Sequence, residues 1–416
     1  MPRVRFPIHH TFGPLVTRGQ WKLAFRLQFF PQKWRSGSET EELRSALSHH
    51  FGMSVSLFAS GREALLAGLK SLMLKSGDEI IIQAYTCVVV PNAVHAAGAT
   101  AVYCDIDPMT LNIDPQKIQA KITPRTRAII CQHTFGIPAD TERLRAICDK
   151  RNITLIEDCA HVLPDDPSRD IGSRGDMLIL SFGRDKAISG VTGGATLTRH
   201  GTLGKVLDEE EKKAEPLSLW LILNFLGYPI RYHFALWLWG LPLGSTLAKA
   251  YLHWIRILRL LPPVYQSGEK EGKTGIMIHA LPNACAALIL EQFHSLSALN
   301  NQRRSFSLLY AKAAREGNWS MPEAALKAPV LQKFPVYARD ANMLRTQLKH
   351  EQIYLDDGWC ASVVNPAQVS EEAAGYAKGS CPIAEDVAKH IVTLPVHPTM
   401  EQAQAEYLVH ALRAML

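Results

Sequence analysis

Between Ser54 and Thr198 short apolar runs alternate with amphipathic stretches, the alternation of strands with helices. Val55–Ala59 reads as a strand, and Arg62–Lys75 as the helix after it, with Leu65, Leu66, Leu69, Leu72 and Met73 recurring at helical spacing. Further strands are predicted at Glu79–Gln83, Thr100–Cys104, Arg127–Cys131, Thr154–Glu157 and Met177–Ser181, with helices at Val90–Ala97, Pro115–Lys121 and Thr141–Lys150. The strands are apolar nearly throughout, as a strand must be when helices cover both faces of its sheet. The pattern therefore predicts an α/β fold built on a mostly parallel sheet covered by helices. From Asn283 a long amphipathic helix is expected over Ala284–Glu316, followed by a smaller C-terminal α+β domain. The chain divides into an N-terminal segment (1–53), a large α/β domain (54–215), an insert (216–270) and a connecting helix with the small domain (271–416).

The insert departs from this pattern. No acidic residue lies between Glu215 and Glu269, whereas Arg231, Lys249, Arg256 and Arg259 are basic, and Trp220, Trp237, Trp239 and Trp254 are half of the chain's 8 tryptophans. The uncharged runs Pro216–Ile230 and Phe234–Ala248 are shorter than the roughly 20 residues that span a bilayer. Gly227, Pro229 and Pro242 are expected to break them further. Ser245–Leu260 reads as an amphipathic helix with Lys249, His253 and Arg256 on one side. Basic residues and tryptophans without acids suit a segment (216–266) lying on an anionic membrane leaflet. A hydrophobic dimer interface or a cap over the functional site is the competing reading.

The 416 residues are 47% hydrophobic and 20% charged, which places the chain among globular proteins. A net charge of +6 suits anionic ligands and is no nucleic-acid signature. The 8 cysteines stand singly, with no CxxC pair and no zinc spacing, and MPRVRFPIHH has no apolar signal core. Free thiols, no metal site and a cytoplasmic location, with peripheral contact at the inner face of the membrane, are the expectation.

Three short stretches carry candidate chemistry. Ser60-Gly61-Arg62 lies between a strand and a helix, where backbone N–H groups at a helix N-terminus can hold a phosphate. In Ile156-Glu157-Asp158-Cys159-Ala160-His161, Asp158 falls at the carboxyl end of an apolar strand, where ligands sit in α/β sheets, and His161 follows one turn on. Leu180-Ser181-Phe182-Gly183-Arg184-Asp185-Lys186 ends another strand and leads into a glycine-rich loop. Taken singly, these are also an ordinary turn, a structural histidine and a solvated lysine. Taken together they match what pyridoxal 5′-phosphate requires: a lysine to hold it as a Schiff base (Lys186), a carboxylate to keep its ring nitrogen protonated (Asp158), and phosphate ligands (Ser181 and the Gly61 turn).

The ordered set SGREAL (60–65), SGDEIIIQAYTCVVVPNAV (76–94), AVYCDIDPMTLNIDP (101–115), TPRTRAIICQHTFGIPAD (123–140), IEDCAH (156–161), GDMLILSF (175–182), Lys186 and GGATLT (193–198) resembles the DegT-type sugar aminotransferases. The similarity continues, more weakly, through PNACAALILEQF (282–293) and CPIAEDVAKHIVTLPVHPTM (381–400). The resemblance implies a fold-type-I pyridoxal-phosphate transferase, a homodimer with sites at the subunit interface, and amino transfer, usually from glutamate, to a keto-sugar carried on a nucleotide or lipid in polysaccharide or glycoconjugate synthesis. By position it implies Lys186 as the cofactor lysine, Asp158 as the partner of the ring nitrogen, and Ser60, Gly61, Arg62 and Ser181 around the phosphate. His161 stands where many members have glutamine. Cys87 stands where an aromatic commonly stacks on the ring, with Tyr85 as a nearby substitute. The Asn-x-Arg-Met stretch that reaches the partner subunit's phosphate in relatives reads Ile278-His279-Ala280-Leu281 here. Related pyridoxal-phosphate sugar dehydratases carry histidine in place of this lysine, so Lys186 speaks against dehydration. Elimination chemistry, or a non-catalytic membrane-associated binding or regulatory module on the same fold, are the alternatives.

Overall fold

The structure is a computed structural model that describes residues 7–10, 15–167, 169–262, 265, 268–272, 275–356, 358–413 and 415–416. Helices α1 (Arg18–Gln28) and α2 (Glu39–Phe51) precede the sheet. Then come β1 (Ser54–Phe58), α3 (Gly61–Ser71), β2 (Glu79–Gln83), α4 (Val89–Ala96), β3 (Thr100–Cys104), β4 (Thr126–Gln132), α5 (Thr141–Arg151), β5 (Thr154–Asp158), β6 (Met177–Ser181), β7 (Gly194–Thr198) and α6 (Gly201–Lys212). With two short edge strands, β8 (Glu215–Pro216) and β9 (His279–Ala280), these build a 9-stranded sheet in the order β8-β9-β1-β7-β6-β5-β4-β2-β3. The run from β3 to β6 is parallel, as the unbroken apolar strands predict, and Ile80, Ile129, Leu155 and Leu178 are fully buried within it.

The two short edge strands β8 and β9 run the other way, and so does one strand inside the sheet. β7 is antiparallel to both β1 and β6, with Gly194 opposite Phe58 on one side and Ser181 on the other. That reversal brings the loop after β1, the end of β6 and the start of β7 to one edge of the sheet. Apolar patterning cannot show strand direction, so this convergence is a property of the tertiary fold.

After the sheet, α7 (Leu219–Trp239) and α8 (Gly244–Ile257) form a helical hairpin. Pro242 falls in its connection, as expected. Gly227 and Pro229 do not break the first arm: α7 runs through both. Proline removes the donor that would reach the Phe225 carbonyl; the helix continues past it, and Arg231 ties this stretch across the hairpin. Its guanidinium donates to the Asn224 carbonyl at 3.2 Å, to Asn224 Oδ1 at 3.3 Å and to the Leu260 carbonyl of the second arm at 2.5 Å. Gly227 leaves the room, because a Cβ there would stand 2.5 Å from the guanidinium. Gln266, the last residue of the segment read from sequence as membrane-facing, lies outside the described residues. Among the described residues no helix is long and apolar enough to cross a membrane.

The single helix expected over Ala284–Glu316 is two, α9 (Asn283–Phe293) and α10 (Leu296–Gly317), with His294 and Ser295 between them. The break has a tertiary cause. At the end of α9, Gln292 accepts from the Ser189 N–H at 2.8 Å and donates to the Leu15 carbonyl at 2.6 Å, which pins this helix in the core while α10 turns away. The C-terminal part holds a two-stranded antiparallel sheet of β10 (Lys333–Tyr337) and β11 (Ile391–Pro395), with α11 (Ala341–His350), α12 (Pro382–His390) and α13 (Gln402–Arg413).

Candidate active site

A cavity of about 500 Å³ opens at the edge where β1, β6 and β7 converge. Ser60, Gly61, Arg62, Cys87, Asp158, His161, Ser181 and Lys186 all line it. Residues far apart in sequence thus meet in one place, because the strand ends that carry them lie side by side.

At one end of the cavity α3 begins. Ser60 caps it, its Oγ accepting from the Glu63 N–H at 3.4 Å, and a bridge joins Ser60 to Gly193. Thr192 Oγ donates to the Ala59 carbonyl and pins the glycine loop to β1. At Gly61 a Cβ would lie 2.7 Å from both Cβ and Oγ of Ser181, so only glycine lets the helix start come this close. The backbone at this helix start, with the Ser181 hydroxyl beside it, has the chemistry to hold a phosphate. Arg62 contributes its backbone to this turn. Its guanidinium ion-pairs with buried Glu269 at 2.5 Å, and the Glu269 carbonyl accepts from Asn92 Nδ2 at 2.8 Å.

At the opposite end β5 presents two acids that point to different faces. Glu157 turns away from the cavity and accepts from His133 Nε2 at 2.9 Å and from the N–H groups of Gly172, Arg174 and Gly175 at 2.7, 2.9 and 2.5 Å. Burial pushes its carboxyl up, but His133 and these N–H groups outweigh burial and hold it below the ordinary range. Asp158 faces the cavity. Burial raises its carboxyl, and the Ala160 N–H at 3.0 Å and the charge of Lys186 offset this only in part. A buried carboxylate whose pKa is raised by burial favours a cationic partner, and a protonated pyridine nitrogen would supply one.

His161 accepts at Nδ1 from the Phe135 N–H at 3.2 Å and stacks on that ring with centroids 5.7 Å apart, so a neutral imidazole carries its proton on Nε2. Trp359 meets the imidazole edge-on at 4.7 Å and also lines the cavity. Cys87 lines the wall, and burial raises its pKa, which keeps it a thiol despite nearby Lys186 and Arg62. Tyr85 is not among the lining residues. It is fully buried behind Trp359, with its hydroxyl donating to the Trp359 carbonyl at 2.9 Å, so the structure separates it from the ring position suggested for it.

Lys186 lies in the loop after β6, where its N–H donates to the Gly183 carbonyl at 3.3 Å. The neighbouring Asp185 is pushed up by burial, but Lys186, Lys333 and Arg184 outweigh this and hold it below the usual carboxylate range.

Several lining residues were not singled out from sequence. Gln132 ends β4 in register with Asp158, and its buried Oε1 has no hydrogen-bond partner among the described residues. The rule that pointed to Asp158, a polar residue at the carboxyl end of an apolar strand, would have found it. Trp359 comes from the C-terminal part and has no local signal. Leu217, Leu221 and Phe225 of the insert form an apolar wall. His279 also lines the cavity and stands where relatives carry Asn-x-Arg-Met; its N–H donates to Glu63 at 2.8 Å, and that carboxylate pulls the imidazole pKa up.

A mostly parallel sheet with β7 antiparallel inside it, a helix start that can hold a phosphate, a strand-end carboxylate and a loop lysine define a pyridoxal-phosphate transferase of fold type I. Residues 27–209 and 268–413 match the DegT/DnrJ/EryC1/StrS aminotransferase family, and the chain belongs to it. The family's cofactor is pyridoxal 5′-phosphate, and the orphaned Gln132 oxygen, the helix start at Gly61 and the buried Asp158 carboxyl fit it. The chain is 27% identical over 364 residues, covering 86% of it and 83% of the relative, to the UDP-N-acetyl-3-dehydro-alpha-D-glucosamine 3-aminotransferase of Acidithiobacillus ferrooxidans. It is 35% identical over 176 residues, 42% of this chain and 39% of the relative, to the 3-oxo-glucose-6-phosphate:glutamate aminotransferase of Bacillus subtilis. Among solved structures, NtdA from Bacillus subtilis with bound pyridoxamine phosphate (PMP) superposes with a TM-score of 0.73 at 22% identity, covering 97% of this chain and 83% of that one. Helicobacter pylori PseC gives a TM-score of 0.74 at 17% identity over 99% of both chains. The family match stops at residue 209 and resumes at 268, so the α7–α8 hairpin lies outside it.

Proposed function

We propose that the enzyme moves an amino group from glutamate to a keto group on a sugar carried by a nucleotide or a lipid, in polysaccharide or glycoconjugate synthesis. The observation that carries this reading is the convergence of Lys186, Asp158, Ser181 and the Gly61 turn on one cavity. The names of the relatives, a 3-aminotransferase for a UDP-linked keto-sugar and a glutamate-dependent 3-oxo-sugar aminotransferase, support the substrate classes. When bound, the cofactor supplies an electron-withdrawing ring that stabilises negative charge at the substrate carbon.

The chain's own residues do the rest. The first turn of α3 and Ser181 anchor the phosphate, which fixes the distance from anchor to Lys186. Asp158 holds a proton on the ring nitrogen opposite it. Lys186 would hold the cofactor through its amine and, when that amine is free, could move a proton at the substrate carbon. His161, oriented by the Phe135 N–H at Nδ1, lines the cavity with its proton on Nε2. Trp359 and the wall of Leu217, Leu221 and Phe225 restrict water at the reacting face. The resemblance to DegT-type enzymes supports a homodimer, with His279 replacing the missing Asn-x-Arg.

Purified protein mixed with pyridoxal phosphate should acquire a visible absorbance that borohydride fixes to Lys186 and that Lys186→Ala abolishes. Glutamate should bleach that band with stoichiometric release of 2-oxoglutarate, and a keto-sugar should restore it. A band that glutamate leaves unchanged would exclude glutamate as donor; protein that never takes up the cofactor would point to a non-catalytic module.

A further inference from the structure

We propose that α1, α7 and α8 together form a docking surface for an anionic lipid bilayer, with the chain bound on the membrane and not through it. The inference does not rest on the aminotransfer reading.

Its basis is a segregation of charge that only the fold makes visible. The sequence contains two stretches without a single Asp or Glu, residues 1–38 and 216–268. They are far apart in the chain, yet α1 of the first packs on α7 of the second, and α7 packs on α8. The three helices therefore make one layer whose ionisable surface is basic: Arg18, Lys22 and Arg26 on α1, and Lys249 and Arg256 on α8, are all exposed. Chance packing of two soluble surfaces would bring in acids from at least one of them.

The apolar content of the same layer is exposed as well. Trp220, Trp237 and Trp254 show 62%, 59% and 62% of their surface, and Leu243 at the hairpin tip shows 83%. On α1, Phe25 and Phe29 are exposed at 47% and 67% on the stripe that carries Arg18 and Lys22. Tryptophan and phenylalanine next to Lys and Arg are the composition of the bilayer interface, where an amphipathic ring rests at headgroup level and a basic side chain meets lipid phosphate. A protein partner would need acidic residues opposite each of these cations, whereas an anionic leaflet supplies negative charge everywhere. A second copy of this chain, equally basic on this face, would meet it with like charge.

The hairpin also falls in the gap of the family match, between residues 209 and 268, so the transaminase machinery is complete without its outer face. Its inner face is another matter. Leu221 and Phe225 of α7 line the catalytic cavity, while Trp220 and Trp237 of that helix face outward, so membrane contact and substrate site share one helix.

Co-sedimentation of the full-length, cofactor-loaded protein tests this, with vesicles of phosphatidylcholine alone or mixed with phosphatidylglycerol. Binding to the anionic vesicles, lost as salt is raised and weak on phosphatidylcholine, is the expected result. Two variant sets, Trp220→Ser/Trp237→Ser/Trp254→Ser and Lys22→Glu/Lys249→Glu/Arg256→Glu, should each weaken binding at least about tenfold while keeping the visible cofactor band and the oligomeric state. The proposal is overturned if wild-type protein ignores anionic vesicles, or if both variant sets still bind them. It is equally overturned if either set keeps the cofactor band but dissociates an oligomer, because the face then belongs to a second copy.

Discussion

Asp158 and Gln132 are register partners at the carboxyl ends of neighbouring strands; Gln132 presents a buried oxygen without a hydrogen-bond partner among the described residues, beside the buried Asp158 carboxyl that accepts from the Ala160 N–H. Such a buried polar arrangement costs stability and is kept where a ligand completes it. Asp158→Asn separates the two effects. Burial raises the Asp158 carboxyl above its ordinary 3.8, so without cofactor the folded protein holds this proton more tightly than the unfolded chain. Its charged form is a destabilising element that grows as pH rises. The cofactor-free variant, whose Oδ1 still accepts from Ala160, should be as stable as wild type or more so at pH 8 in urea denaturation. Turnover should fall by about 10²-fold or more, because a neutral amide cannot hold the ring nitrogen's charge.

Glu157, the adjacent residue, has the opposite sign. Its carboxyl is held below the ordinary 4.5, so its contribution to stability is fully present above that value and is lost as pH falls through the folded pKa. Glu157→Gln turns an amide NH2 donor toward N–H donors that the carboxylate satisfied and should cost about 3 kcal/mol or more. Denaturation midpoints should differ by a constant gap from pH 7 to pH 5 and converge as the pH falls below 4.5; a gap that stays constant at lower pH would show that the charge is not what matters.

Gly61→Ala should act on the cofactor before it acts on the substrate. The new Cβ would stand 2.7 Å from Ser181 Cβ, against a side chain that starts on a sheet strand and cannot retreat. Pyridoxal phosphate affinity, titrated by absorbance, should weaken by about tenfold or more, one lost phosphate contact being worth at least 1.4 kcal/mol. KM for the amino donor, measured at saturating cofactor, should change little. A variant with normal cofactor affinity would place the phosphate elsewhere.

Arg231→Met removes the guanidinium that bridges Asn224 to Leu260 across the hairpin and should destabilise the protein by about 1–3 kcal/mol. Gly227→Ala alone should also destabilise, since its Cβ displaces that guanidinium. The double variant should be no worse than Arg231→Met alone, a non-additivity expected of residues that share one contact. Additive losses in a double-mutant cycle would mean that Gly227 is needed for another reason.

Much of the fold and the site can be read from the residues directly. The strand pattern is legible because a strand covered on both faces has to be apolar, and Glu79–Gln83, Thr100–Cys104 and Met177–Ser181 form with the bounds read from sequence. Lys186, Asp158, Ser181 and Gly61 could be singled out because cofactor chemistry restricts residue type near strand ends, and the structure brings all four to one cavity. Acid-free composition likewise marks the insert. What depends on long-range packing is not legible. The break between α9 and α10 goes with Gln292 reaching Ser189 and Leu15, and the tie of α7 to the chain after α8 is made by Arg231 reaching Leu260. Trp359 enters the cavity from the C-terminal part, and Tyr85 withdraws behind it.

By itself, then, the sequence determined an α/β fold, its strand positions and the chemical character of its site, since burial and cofactor chemistry each act residue by residue. Only the tertiary structure decided the direction of β7, which brings Gly61 to Ser181, and the packing of α1 on α7, which joins two acid-free stretches into one face. Both are relations between residues distant along the chain, and periodicity carries no information about them.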